Sequence, residues 1–242
     1  MSTIRHNLSA DVVLGVAAHA DDLDFAAAGT FARLAAEGAA IYYLIVTDGC
    51  KGSADPDSDS KQLAARRRNE QGAAARAVGV CDVFFLQYED GALEVSQSLK
   101  RDIVRFIRRL RPDVVVTYDP RMLYYAPAGI INHPDHRACG QATLDAVYPL
   151  ARDRMSFPEL SAEGLEPHEV RTVLLANCER QEFLVDISDF FERKINAIAA
   201  HASQFRDMQT VRKRSESNAS SLGHRLGCQY AEGFVRIDVT VS

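Results

Sequence analysis

The chain of 242 residues has no cysteine pair at CxxC spacing; Cys50, Cys81, Cys139, Cys178 and Cys228 are odd in number and far apart. Neither a disulfide framework nor a cysteine zinc site is expected, and free thiols fit a cytoplasmic location. No apolar run approaches the ~20 residues that a membrane helix needs, and Met1–Leu8, interrupted by Arg5 and His6, has no apolar leader core. Excess positive charge is also missing. Lys and Arg number 28 against 33 Asp and Glu, a net charge of −5, which makes nucleic acid a poor partner. There is no Gly/Ser- or Pro-rich linker, no repeat, and no HExxH, GxSxG, Walker A or GxGxxG motif. What is there is ordinary globular composition, 47% apolar and 25% charged. It reads as one domain over residues 1–242, long enough to bury roughly 70–75% of its unfolded surface. Association into a homo-oligomer stays open.

Near-continuous apolar runs at Asp11–Ala18 and Ile41–Thr47 suit strands buried on both faces, and Asp82–Leu86 and Asp113–Tyr118 read as a third and a fourth strand. Between them, Ala26–Glu37, Gln62–Val78 and Ser96–Leu110 read as helices, ended by Gly38, by Gly79 and before Pro112. A further helix is expected from Pro134 to about Tyr148. This βαβα rhythm implies an α/β fold, a mostly parallel sheet with helices on both faces. Arg171–Ala176, Phe183–Ile187 and Phe234–Val241 read as a C-terminal extension of the sheet, with a helix over Asp189–Phe205. Asp48–Lys61 and Asp119–Asn132 are long loops.

In such a sheet, ligands bind beyond the carboxyl ends of the strands. Two of those ends carry clusters of His and Asp: His19-Ala20-Asp21-Asp22 after the first strand, and His133-Pro134-Asp135-His136 at the start of a helix. Two imidazoles, one carboxylate and a fourth position left to water is a common catalytic zinc arrangement. His19, Asp22 and His136 can supply it. Asp21 then remains to take a proton from water, and His133 to stabilise a developing oxyanion. Taken singly, each cluster has a plainer explanation: an Asp pair after a strand is usually a helix cap with its dipole partner, and HxxH is often two surface histidines. The helix dipole disfavours a protonated His133 and Asp135 favours one. His201, at the edge of an apolar helix face, reads as a hydrogen-bonded structural histidine. Lys51, Tyr124 and Tyr125 read as loop residues walling the cleft.

The stretch Ala18–Gly38, AHADDLDFAAAGTFARLAAEG, together with His133-Pro134-Asp135-His136, resembles the LmbE/PIG-L family of zinc-dependent N-deacetylases. The likeness continues through Thr47-Asp48-Gly49, the Arg67-Arg68-Asn69-Glu70 helix, Tyr88–Leu93 and His201-Ala202-Ser203-Gln204. It implies a Rossmann-like α/β fold, with His19, Asp22 and His136 as metal ligands and Asp21 as general base. It also implies that His133 polarises the carbonyl or protonates the leaving amine, oriented by Asp135, and that Arg67 and Asp90 grip sugar hydroxyls. Arg66, Arg67 and Arg68 are consecutive and cannot all face the cleft. Three positions depart from the usual pattern: Ala20 stands for a Pro, Asp24 for a Glu and Ala28 for a Gly. The expected reaction is zinc-dependent removal of an acyl group, acetyl by preference, from an N-acetylglucosamine-type amino sugar or glycoside. The rivals are an amidase for a larger sugar-thiol conjugate, iron(II) chemistry on the same ligands, and a non-catalytic sugar-binding protein.

Overall fold

The computed structural model describes residues 8–53, 55–126 and 129–240. Met1–Asn7 and Val241, the expected end of the last strand, lie outside the described residues. The chain runs β1 (Val12–Ala17), α1 (Asp22–Ala36), β2 (Ala40–Thr47), α2 (Ser60–Val78), β3 (Asp82–Tyr88), α3 (Gln97–Leu110) and β4 (Val114–Tyr118). Then follow a short hairpin, β5 (Tyr124–Tyr125) and β6 (Ile130–Ile131), and α4 (Pro134–Asp145) and α5 (Pro158–Ala162). The last part holds β7 (Thr172–Ala176), β8 (Phe183–Asp186), α6 (Phe191–Ala199), α7 (Met208–Leu226) and β9 (Ala231–Asp238).

The sheet order is β3-β2-β1-β4-β7-β9-β8. The five strands from β3 to β7 are parallel; β9 is antiparallel to both β7 and β8. Alternate residues of β1 feed two apolar layers. Val13 and Ala17 pack with α1, α2, α6 and α7, and Leu14 and Val16 with α3, α4 and α5. The chain leaves β1 in one direction, through β2 and β3, and returns to the other side of β1 at β4. A crevice therefore opens between the carboxyl ends of β1 and β4, the switch point where open α/β sheets bind ligands.

Several expectations are corrected. α1 begins at Asp22 rather than Ala26, because the Asp21 carbonyl already accepts the amides of Asp24 and Phe25. The helix expected to reach Phe205 stops at Ala199, where tighter bonds from Ala200 to Ala197 and from His201 to Ile198 turn the chain. The loop at Asp119–Asn132 contains the β5–β6 hairpin. α7 was not expected at all; it buries only Ser215, Ala219 and Gly223, too small to mark an apolar stripe.

One buried ion pair ties the C-terminal part to α1. Lys194 Nζ donates to Glu232 Oε1 and to the Phe25 carbonyl, both at 2.6 Å. The Glu232 carboxylate also accepts the amides of Gly29 and Thr30 at 3.1 and 2.7 Å. Replacing Lys194 with Met strands a buried carboxylate without its cation. Lys194→Met is expected to lower unfolding free energy by about 3–5 kcal/mol, read as a shifted urea midpoint.

Candidate metal centre

The two clusters meet at the switch point because of local geometry at each strand end. After β1 the His19 amide donates to Asp22 Oδ2 at 2.8 Å, closing a tight turn into α1. Across the crevice, α4 lies directly on the end of β4. A Cβ on Gly140 would come within 2.3 Å of the Tyr118 carbonyl oxygen, so the close approach needs glycine. Tyr118 completes the join: its hydroxyl donates to the Asp22 carbonyl at 3.0 Å, and its ring lies 4.6 Å from that of His136.

His136 Nδ1 is 3.0 Å from Asn132 Oδ1, which leaves Nε2 facing Asp22 Oδ1 at 3.1 Å and His19 Nδ1 at 3.3 Å. His19 Nδ1 is in turn 3.5 Å from Asp22 Oδ2. Three donor atoms thus converge, two imidazole nitrogens and a carboxylate. Donor atoms of His19, His133 and His136, and of His19, Asp90, His133 and Asp135, also fall within 4.8 Å of one another. The far nitrogen of His19, Nε2, is 3.1 Å from Asp90 Oδ1 and 3.3 Å from Asp135 Oδ2. Carboxylates behind a metal-facing histidine orient its ring and raise its basicity.

The electrostatics favour positive charge at this centre. Burial works against charge on His19, yet its hydrogen bonds to Asp135, Asp22 and Asp90 outweigh that and push its pKa up to about 12. Burial opposes ionisation of Asp22, but the charges and hydrogen bonds of His136 and His19 hold it well below the usual carboxylate range. Asp90 is held down to about 2: burial again opposes, and His19 and the Lys51 amide prevail. The donor set and the negative field fit a divalent metal ion.

Asp21 occupies the N-cap position of α1 but makes no side-chain cap bond. Its φ of 91° is in the left-handed region, and this turns the carboxylate away from its own helix. Burial and the neighbouring Asp22 charge raise its pKa to about 7, against Arg67, His201 and His19. His133, exposed at the crevice, is the N-cap of α4, and its Nδ1 accepts the Asp135 amide at 3.2 Å. That bond leaves the proton of a neutral ring on Nε2. Burial and the charge of His19 lower the His133 pKa and outweigh the opposing charge of Asp135.

The Asp135 carboxylate does not orient His133. It accepts the amides of Gly91 and Leu93 at 2.7 and 3.2 Å and faces His19 instead; only the Asp135 backbone amide reaches His133. Arg67 is buried, donating to the carbonyls of Gly49 and Ala20 at 3.1 and 2.9 Å, with its NH2 3.5 Å from Asp21 Oδ1. Arg66 pairs with Glu70 and Arg68 lies over Phe85. Asp90 is buried, with Oδ2 accepting the Lys51 amide at 3.0 Å. Lys51 Nζ pairs with exposed Glu89. Tyr124 and Tyr125 are exposed on the hairpin. His201 is fully buried against Asp24. The contacts of Tyr118, Asn132 and Gln71 at the site have no motif in the sequence, although Tyr118 and Asn132 stand at the end of the fourth strand and of its loop.

The family profile PIG-L, described as GlcNAc-PI de-N-acetylase, matches residues 14–147, the span that carries both clusters, Arg67 and Asp90. The chain belongs to the PIG-L family. Among its PIG-L relatives, a diacetylchitobiose deacetylase of Thermococcus kodakarensis is 32% identical over 223 residues, 91% of this chain and 81% of that protein. A 1D-myo-inositol 2-acetamido-2-deoxy-alpha-D-glucopyranoside deacetylase of Rhodococcus erythropolis is 29% identical, covering 81% and 82%. In structure, the N,N'-diacetylchitobiose deacetylase of Pyrococcus horikoshii, complexed with its inhibitor MPG, aligns with a TM-score of 0.87 at 30% identity, covering 95% of this chain and 84% of that one. The resemblance read from the sequence and the PIG-L fold therefore agree.

The contact between α4 and β4 is testable. Gly140→Ala forces a methyl group against the Tyr118 carbonyl. It is expected to cost about 1–3 kcal/mol of stability, as overpacking does, and to weaken metal binding, both measurable by denaturant titration and competitive chelation.

Proposed function

We propose that this chain is a zinc-dependent N-deacetylase that hydrolyses the acetamide of an N-acetylglucosamine-type amino sugar or glycoside. The observation that carries the reading is the convergence of His19 Nδ1, Asp22 and His136 Nε2 beside an aspartate whose backbone turns its carboxylate away from its own helix. A sugar-binding protein without catalysis has no use for that conformation of Asp21. The related deacetylases of N-acetylated sugars support the same substrate class.

His19, Asp22 and His136 would hold the zinc. When bound, the ion polarises the amide carbonyl and lowers the pKa of water to about 7. Asp21 takes the proton of the attacking water as the new C–O bond forms. His133 Nε2–H donates a hydrogen bond to the oxyanion, helped by the α4 N-terminus. As the C–N bond breaks, Asp21 delivers its proton to the leaving amine, so acetate and free amino sugar are released. Asp135 and Asp90 hold His19 from behind. Arg67 and Asp90 flank the crevice on the β2–β3 side and are the proposed contacts for sugar hydroxyls. The Arg67 Nε has no partner among the described residues. Because Asp90 also touches His19, its loss is expected to slow hydrolysis of small acyclic N-acetyl amines as well as of sugars.

Zinc-loaded protein is expected to release amine from N,N'-diacetylchitobiose or another N-acetylglucosamine glycoside, to lose that activity on chelation and to regain it with zinc. Elemental analysis after anaerobic purification reads zinc against iron(II). Absence of amine release across a panel of such glycosides overturns the proposal. His136→Ala is expected to lose bound metal and turnover together; full metal content in that variant would remove His136 from the ligand set. Asp21→Asn is expected to keep its metal while kcat falls by roughly 10²–10⁴. Metal loss in Asp21→Asn would make Asp21 a ligand.

A further inference from the structure

Beneath Asp21 lies a buried polar chain that takes no part in the chemistry just described. Gln71 in α2, Asp24 in α1 and His201 in the turn after α6 are fully buried. His201 Nε2 is 2.8 Å from Asp24 Oδ2, and the same oxygen accepts Gln71 Nε2 at 2.8 Å. Gln71 Oε1 then accepts the Asp21 amide at 3.0 Å. The direction of this chain is fixed by its ends. A carboxylate only accepts, so Asp24 draws the NH2 end of the Gln71 amide and leaves the carbonyl end for Asp21. His201 Nδ1 has no partner among the described residues, which favours the ring hydrogen on Nε2, toward Asp24.

We propose that Gln71 is a positioning residue for Asp21, locked in its orientation by the Asp24–His201 pair. A residue other than glycine holds a φ of 91° only where its surroundings fix it. The Gln71 bond holds the N–H and the Arg67 bond holds the C=O of the one peptide group that joins Ala20 to Asp21. Released from Gln71, Asp21 can relax to the extended backbone of an ordinary N-cap and turn its carboxylate onto the first amides of α1. The base is then spent on its own helix. This inference rests on Asp21 being the base, as proposed above.

Gln71→Met keeps the volume and removes both hydrogen bonds. With the zinc-loaded protein and a chitobiose substrate, kcat is expected to fall roughly 10²-fold, with KM and zinc content unchanged. In an Asp21→Asn background the same substitution is expected to have no further effect on residual kcat, since Gln71 acts only through Asp21. A crystal structure of Gln71→Met is expected to show Asp21 outside the left-handed region. His201→Gln, which still presents a donor to Asp24, should retain kcat, whereas His201→Leu should reproduce the loss. That pair decides the matter if Gln71→Met does not fold. Unchanged kcat in Gln71→Met, a loss that multiplies with that of Asp21→Asn, or loss of zinc overturns the positioning role. Near-normal turnover in Asp21→Asn alone overturns the base reading instead, and the two failures are thereby told apart.

Discussion

Everything at the site depends on keeping three carboxylates against one buried imidazole. Asp22, Asp90 and Asp135 all lie within 3.5 Å of His19 ring nitrogens. Without a cation such a cluster repels itself, and burial weakens the screening. The protein holds it with backbone amides: His19 on Asp22, Lys51 on Asp90, and Gly91 and Leu93 on Asp135. These amides belong to the segments that follow β1, β2 and β3, so each carboxylate fastens a loop as it aims at the centre. The loops and the metal site are one electrostatic unit, and a substitution in one is felt in the others.

The same logic explains why two adjacent aspartates do different work. Asp22 begins α1 and points into the crevice between two histidines, which keep it ionised. Asp21 stands one residue earlier, where an aspartate would ordinarily cap the helix. Its left-handed backbone denies it that role and leaves a carboxylate that burial and Asp22 have made more basic. Neighbours in sequence thus take different surroundings through one backbone dihedral, which suits them to the proposed roles of ligand and base.

Much of this was legible in the sequence, and for physical reasons. β1, β2 and β4 are buried on both faces, so they appear as unbroken apolar runs. The site residues lie at the ends of those strands, where side chains cannot be apolar if they are to bind a ligand. The consecutive arginines were also readable in outline: only Arg67 turns inward, with Arg66 and Arg68 kept at the surface by Glu70 and Phe85. Illegible were contacts between distant residues. Lys194 and Glu232 are 38 positions apart, and neither signals the other. α7 docks through Ser215, Ala219 and Gly223, so its buried face carries no hydrophobic period. Sequence adjacency pairs Asp135 with His133, and it gives no sign that the fold also brings the Asp135 carboxylate to within 3.3 Å of His19.

The departure at Ala20 connects these points. A proline there would stiffen the turn that holds Asp21; alanine restores backbone freedom in that position. Here the turn is fixed by hydrogen bonds from elsewhere, Arg67 to the Ala20 carbonyl and Gln71 to the Asp21 amide. The C-terminal part grips α1 immediately below, through His201 on Asp24 and Lys194 on the Phe25 carbonyl. The residues proposed for the chemistry all precede Arg137, while the segment from α6 to β9 supplies the anchors of the helix that carries them. Long-range hydrogen bonds thus fix Asp21 where a local ring constraint is absent, which joins the geometry of the proposed base to the folding of the segment from α6 to β9.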